Sequence, residues 1–138
     1  MKTVKNDLAE LLKKSTLEFF GTSQHKVMPE KLPEIPDVLL LDVRSREEFA
    51  SLRVPYGILP NVTFMHIPID ELPDRLDEIP RGQNVVVFCP ANFRSTLAYA
   101  YLKINDYKSV RILSGGYAGV ANSLMPGKVY KQLSKNSR

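Results

Sequence analysis

Two short runs of unbroken apolar residues constrain this chain most: Val38-Leu39-Leu40-Leu41 and Val85-Val86-Val87-Phe88. Each is too short for a helix, and neither alternates with polar residues, so each fits a strand buried on both faces. Val62 to Ile67 and Val110 to Leu113 are expected to form two further strands. Helical signals fall between them. Ser45-Arg46-Glu47-Glu48 has capping-box spacing and starts a short helix through Phe49. Asp70 is placed to cap a helix through Ile79, with Pro73 tolerated in its first turn. Leu97, Ala98, Tyr101 and Leu102 recur at helical spacing between Ser95 and Ile104. Gly115-Gly116 breaks the chain before a short helix over Tyr117 to Asn122. Strand and helix alternate, which predicts an α/β fold with a mostly parallel central sheet and helices on both faces.

The 138 residues suit one domain with a real core. Ahead of the first strand, Asn6 or Asp7 can cap a helix with Val4, Leu8, Leu11, Leu12 and Phe19 roughly on one face, ending near Gly21. Residues 22 to 37 carry Pro29, Pro33 and Pro36 and read as an extended connection. A loop is expected over residues 52 to 61, where Pro55, Gly57 and Pro60 fall, and a turn at Arg81-Gly82-Gln83-Asn84. The tail from Ser123 is basic and weakly patterned. The expected organisation is a helix and proline-rich connection over 1–36, the main domain over 37–122, and a basic tail over 123–138.

No run of about 18 apolar residues exists, so no membrane span is expected. The N-terminal stretch is charged and then amphipathic, unlike a secretion signal. Cys89 is the only cysteine and cannot form an intrachain disulfide. A lone thiol suits a reducing compartment, so the cytoplasm is the expected location. His25 and His66 are the only histidines and give no zinc-ligand spacing, so no metal is expected, and His66 reads as a core or strand residue. The net charge of +4 would raise the local concentration of small anions. The basic residues are dispersed, without aromatic interleaving, so nucleic acid is not an expected partner.

Cys89 directly follows the strand ending at Phe88, and a helix begins a few residues later. Open α/β sheets hold their ligands beyond the carboxyl ends of strands. The intervening Pro90-Ala91-Asn92-Phe93-Arg94 is a short loop entering a helix, which presents several backbone N–H groups to one point. The helix dipole and Arg94 would both favour a thiolate at Cys89, the form that attacks sulfur. Asn92 stands where a left-handed residue is needed, and Ser95 can cap the helix. Pro90 removes one possible donor. A cysteine at the end of a buried strand can also be a simple small hydrophobe.

Cys89-Pro90-Ala91-Asn92-Phe93-Arg94-Ser95 resembles the active-site loop of the rhodanese family, Cys-x-x-Gly-x-Arg-Ser, with Asn92 in place of the glycine. Leu40-Leu41-Asp42-Val43-Arg44 with Glu48-Phe49, and Leu113-Ser114-Gly115-Gly116, resemble two further motifs of that family, in its order and spacing. The resemblance covers roughly residues 37 to 122. Two departures are visible. Leu52-Arg53-Val54-Pro55-Tyr56-Gly57 stands for the family's Gly-His-Ile-Pro-Gly-Ala, and the usual aromatic residue after the double glycine is replaced near Val120.

The resemblance implies a rhodanese-like fold and a single-domain sulfurtransferase. Cys89 would take a sulfane sulfur from thiosulfate, a polysulfide or a persulfide. It would pass that sulfur to cyanide or to a thiol, including a protein thiol. The N–H groups from Ala91 to Ser95, including those of Asn92 and Phe93, would cradle the sulfur. Arg94 would orient the anionic donor, and no cofactor is required. Asp42 and Arg44 read first as strand-end braces of the loop, and Glu48 as a capping-box partner. Phe93 would line the pocket mouth or belong to the core, and Gly115 and Gly116 would serve the turn beside the site.

Two rivals remain open. Related folds include phosphatases with five residues between cysteine and arginine; here only Pro90 to Phe93 intervene, a smaller cradle that disfavours phosphatase and arsenate reductase chemistry. The other rival is a binding or regulatory module that keeps the fold without turnover.

Overall fold

The structure, a computed structural model, describes residues 4–53 and 59–136. The elements follow in the order α1 (Val4–Lys13), α2 (Leu17–Gly21), β1 (Lys26–Val27), β2 (Val38–Asp42), α3 (Arg46–Ser51), β3 (Val62–His66), α4 (Leu72–Arg75), β4 (Asn84–Phe88), α5 (Phe93–Ile104), β5 (Val110–Leu113), α6 (Gly116–Ser123) and α7 (Pro126–Asn136). Five strands form one sheet in the order β1-β5-β4-β2-β3, and every pairing is parallel.

The apolar runs behave as strands buried on both faces require, since successive side chains point to opposite sides. Leu39, Leu41, Val85 and Val87 pack on one side with Ala98, Tyr99 and Leu102 of α5, with Leu72 and Ile79 nearby. Val38, Leu40, Val86 and Phe88 pack on the other with Leu32, Val120 and Tyr117. The buried Val120 fills the position where the related motif carries an aromatic residue.

Beyond β2 the chain moves outward to β3, then crosses back to β4 on the other side. Asp42 at the end of β2 is in register with Phe88 at the end of β4. This reversal is where open parallel sheets leave a crevice at their carboxyl ends. Val43-Arg44 and Cys89 leave the sheet side by side there.

Several sequence expectations are corrected. The first helix does not run unbroken to Gly21: Thr16 accepts from the Phe19 N–H at 3.3 Å and starts α2 anew. Asn6 and Asp7 lie inside α1 rather than at its start. The connection over 22–37 is not merely extended. It contains β1, paired with β5, and a 3-10 helix over Pro29–Glu34 whose Leu32 is fully buried. Asp70 caps nothing; it sits in a 3-10 turn over Ile69–Glu71, and only Leu72–Arg75 is α-helical. The tail holds α7, which begins at Pro126, a residue suited to a first helical position, and Lys128 Nζ reaches Glu30 Oε1 at 3.2 Å. The expected loop at Pro55 and Gly57 lies outside the described residues.

Candidate functional site

The site begins with Ser45. Its hydroxyl accepts from the Glu48 N–H at 3.2 Å, and Glu48 Oε1 accepts from the Ser45 N–H at 3.0 Å, completing the capping box expected at the start of α3. Glu48 does more than cap. Both its oxygens accept from Arg94, at 2.6 and 2.9 Å, which ties α3 to the start of α5. The Arg94 guanidinium, then the Ser45 N–H, hold the Glu48 carboxyl down at about 2. The same hydrogen bonds raise Arg94 above its ordinary value, overcoming the opposing effect of burial. Arg94 is thus not a loose cation beside Cys89 but one arm of a bidentate pair.

Arg44 has no exposed surface, which is rare for arginine. Its Nε and Nη2 donate to Asp42, the shortest contact being 2.6 Å. Nη1 donates to the main-chain oxygen of Leu52 and to the Tyr117 hydroxyl at 3.1 Å. A buried charge persists only when paired and hydrogen-bonded in this way. Its main-chain oxygen accepts from His66 Nε2 at 2.8 Å, which places the proton on that nitrogen, and the His66 ring stacks on Phe49 at 4.1 Å. Asp42 and Arg44 therefore join β2 to the end of α3 and to Tyr117 of α6. His66 lies at the end of β3, as expected.

Cys89 is 1% exposed. The Ser95 N–H donates to its sulfur at 3.2 Å, and the thiol lies 3.3 Å from the Ser95 hydroxyl as donor. Ser95 does not cap α5, as the sequence suggested; it is the third residue of the helix, fully buried, and holds the sulfur. The cap position belongs to Asn92, whose φ of 66° is the left-handed conformation expected of it. Ala91, Asn92, Phe93 and Arg94 have no acceptor for their backbone N–H groups among the described residues. Four donors without acceptors and the positive end of a twelve-residue helix thus lie at the loop. Phe93 belongs to the rim rather than the core: it is 73% exposed.

The double glycine fits the loop from outside. A Cβ on Gly116 would stand 1.8 Å from the Pro90 oxygen, and that oxygen accepts from the Tyr117 N–H at 3.1 Å. Gly115 adopts a φ of 90° and turns the chain into α6. Tyr117 was missed in the sequence. Its place directly after Gly115-Gly116 was the available signal, since a residue there faces the same loop.

Comparison with known proteins agrees with this architecture. The model of the Rhodanese-like domain matches residues 28–123. A sulfurtransferase of Allochromatium vinosum is 33% identical over 99 residues, covering 72% of this chain and 86% of that protein. A NAD-dependent persulfide reductase from A. fulgidus is 36% identical with a TM-score of 0.57, but the match covers 74% of this chain and only 17% of the larger protein. A rhodanese-like domain protein from Staphylococcus aureus is 25% identical with a TM-score of 0.57, over 70% of this chain and 90% of that one.

Proposed function

Since the chain belongs to the rhodanese-like domain family, we propose that it transfers sulfane sulfur through a persulfide on Cys89. The supporting observation is the loop itself: one N–H already rests on the cysteine sulfur, and the four residues before it, Ala91 to Arg94, have no acceptor for their N–H groups among the described residues. The relationship to a sulfurtransferase supports the same reading. The Cys89 thiolate attacks the outer sulfur of thiosulfate, a polysulfide or a persulfide. A new S–S bond forms as the donor's own bond to that sulfur breaks. The electron pair leaves with sulfite or the shortened donor. The N–H groups of Ala91 to Arg94 take the charge of the terminal sulfur, at no reorganisation cost because they are already fixed. An acceptor thiolate or cyanide then attacks that sulfur, and Cys89 is released as thiolate. No net oxidant or reductant is consumed.

A second reading, a binding or regulatory module with little turnover, is favoured by the near-complete burial of Cys89. One measurement separates the two. The reduced protein is incubated with thiosulfate or polysulfide and its intact mass is measured. Transfer chemistry predicts one added sulfur, removed by a thiol reductant and absent in Cys89→Ala. A wild-type mass that no sulfane donor changes refutes the transferase reading.

A further inference from the structure

Two arginines stand at the carboxyl end of the sheet near Cys89, and each is bound to a carboxylate. Arg44 is fully buried and donates to Asp42 from Nε and Nη2, the shortest contact being 2.6 Å. Arg94 donates to both oxygens of Glu48, at 2.6 and 2.9 Å. The Glu48 carboxyl is held at about 2, first by the Arg94 guanidinium, so at neutral pH it is ionised and each pair carries no net charge. Pro90, Ala91, Asn92 and Phe93, the residues between Cys89 and Arg94, carry none either. Arg53, just beyond α3, is exposed and lies over the Phe49 ring at 4.8 Å, where water weakens its field. The chain as a whole is +4, yet the side chains bonded around the loop sum to zero. What remains positive is the start of α5, equivalent to about half a unit charge.

Sulfur donors differ in the charge they bring to such a site. When the Cys89 thiolate attacks thiosulfate, an anion meets a dianion, and three negative charges share the transition state. With a hydropersulfide, R–S–SH, there is one. In that reaction the bond from Cys89 Sγ to the outer sulfur forms as the bond from R–S to it breaks. The electron pair leaves on R–S, which takes the proton of the outer sulfur, so the products are the Cys89 persulfide anion and R–SH. Cys89 is 1% exposed, so the charge develops where water is scarce and unpaired charge is costly. The rim is apolar as well: Phe93 is 73% exposed, and Leu97, one turn further along α5, is 52% exposed. Such a rim suits a carrier R without charge.

Resting on the reading of Cys89 as a persulfide carrier, we infer that the site favours low-charge sulfane donors, hydropersulfides above all, over dianions such as thiosulfate, and that Glu48 sets this preference by neutralising Arg94. Glu48 acts through Arg94 rather than on the sulfur. It determines specificity by position and takes no part in the transfer itself.

The test compares initial rates of sulfur loading on Cys89, read by intact mass, for three donors of falling charge: thiosulfate, methanethiosulfonate and the hydropersulfide of N-acetylcysteine methyl ester. Methanethiosulfonate has a methyl group in place of one thiosulfate oxygen, so it carries one charge fewer and keeps the same kind of breaking bond. Each rate is divided by that donor's rate with 2-mercaptoethanol, which removes intrinsic reactivity. Thiosulfate should lag methanethiosulfonate by about tenfold or more, the usual scale for a missing charged partner. Glu48→Gln keeps the capping-box acceptor but leaves Arg94 without a counter-charge. It should raise the thiosulfate-to-methanethiosulfonate ratio about tenfold. If that variant does not fold, Ala91→Lys, at an exposed position of the loop, supplies an unpaired cation and should raise the same ratio. A merely structural Glu48 would lower loading from every donor together and leave the ratio unmoved, which would overturn the assignment. Equal normalised rates for all three donors in the wild type would overturn it too, and leave the transferase reading standing. Loading from none of them would instead overturn that reading, and the inference with it.

Discussion

Replacing Glu48 by glutamine isolates one interaction of the candidate site. The amide oxygen can still accept from the Ser45 N–H, and the Ser45 hydroxyl still accepts from the backbone of residue 48, so the capping box survives. What disappears is the charge opposite Arg94. A hydrogen bond between ionised groups contributes about 1.5–3 kcal/mol when sheltered. Each side chain here is 33% exposed, and exposed pairs contribute only about 0.2–1 kcal/mol. A loss of about 1–2 kcal/mol at neutral pH lies between these limits. With a urea slope of about 2 kcal/mol per molar, the unfolding midpoint should fall by about 0.5–1 M. The pH dependence provides the sharper check. The Glu48 carboxyl sits at about 2 in the folded chain against an ordinary 4.5. Above pH 4.5 both states are ionised there and the full contribution is present. As the pH falls below 4.5 the unfolded chain takes up a proton that the native chain refuses, so the contribution declines, and near pH 2 it is gone. The gap between wild type and Glu48→Gln should therefore be constant from pH 5 to 7 and close toward pH 3. A gap that is absent at pH 7, or unchanged at pH 3, refutes the reasoning.

Two further outcomes are expected. Gly116→Ala puts a Cβ 1.8 Å from the Pro90 oxygen at a φ of 56°, so it should lose about 2–4 kcal/mol from overpacking and left-handed strain; a thermal midpoint within about 2 °C of wild type would show that the loop yields freely. Gly127→Ala, with nothing within 4 Å of its Cβ, is the control that should leave the midpoint in place. Arg44→Met leaves Asp42 buried without its partner and should cost about 3–5 kcal/mol in urea unfolding; a cost below about 1 kcal/mol would mean that water reaches Asp42.

The parts of this fold legible in the sequence are those written in neighbouring residues. Four-residue apolar runs announce strands covered on both sides. Ser45 and Glu48 announce a capping box three residues apart. Asn92, between a strand and a helix, announces a left-handed cap. What escaped depends on partners far along the chain. Glu48 and Arg94 meet across 46 residues, and nothing local to either shows that the capping residue also holds the arginine. Ser95 had the right chemistry for a cap, but Asn92 took that position and left the serine to the buried sulfur. Two residues of β1 make no pattern of their own; only β5 turns them into a strand. The tail helix escaped because its basic residues mask a short apolar pattern.

That two-residue strand has a consequence for any attempt to shorten the protein. Lys26 and Val27 occupy the flank of β5, and the Ile112 and Ser114 N–H groups donate to His25 and Val27. A chain cut back to residues 28–123 would keep every residue of the matched domain and still expose those donors, leaving β5 as a bare sheet margin. Such margins recruit strands from other molecules. The few residues ahead of the domain act as its selvedge, and their removal should show first as self-association rather than as unfolding.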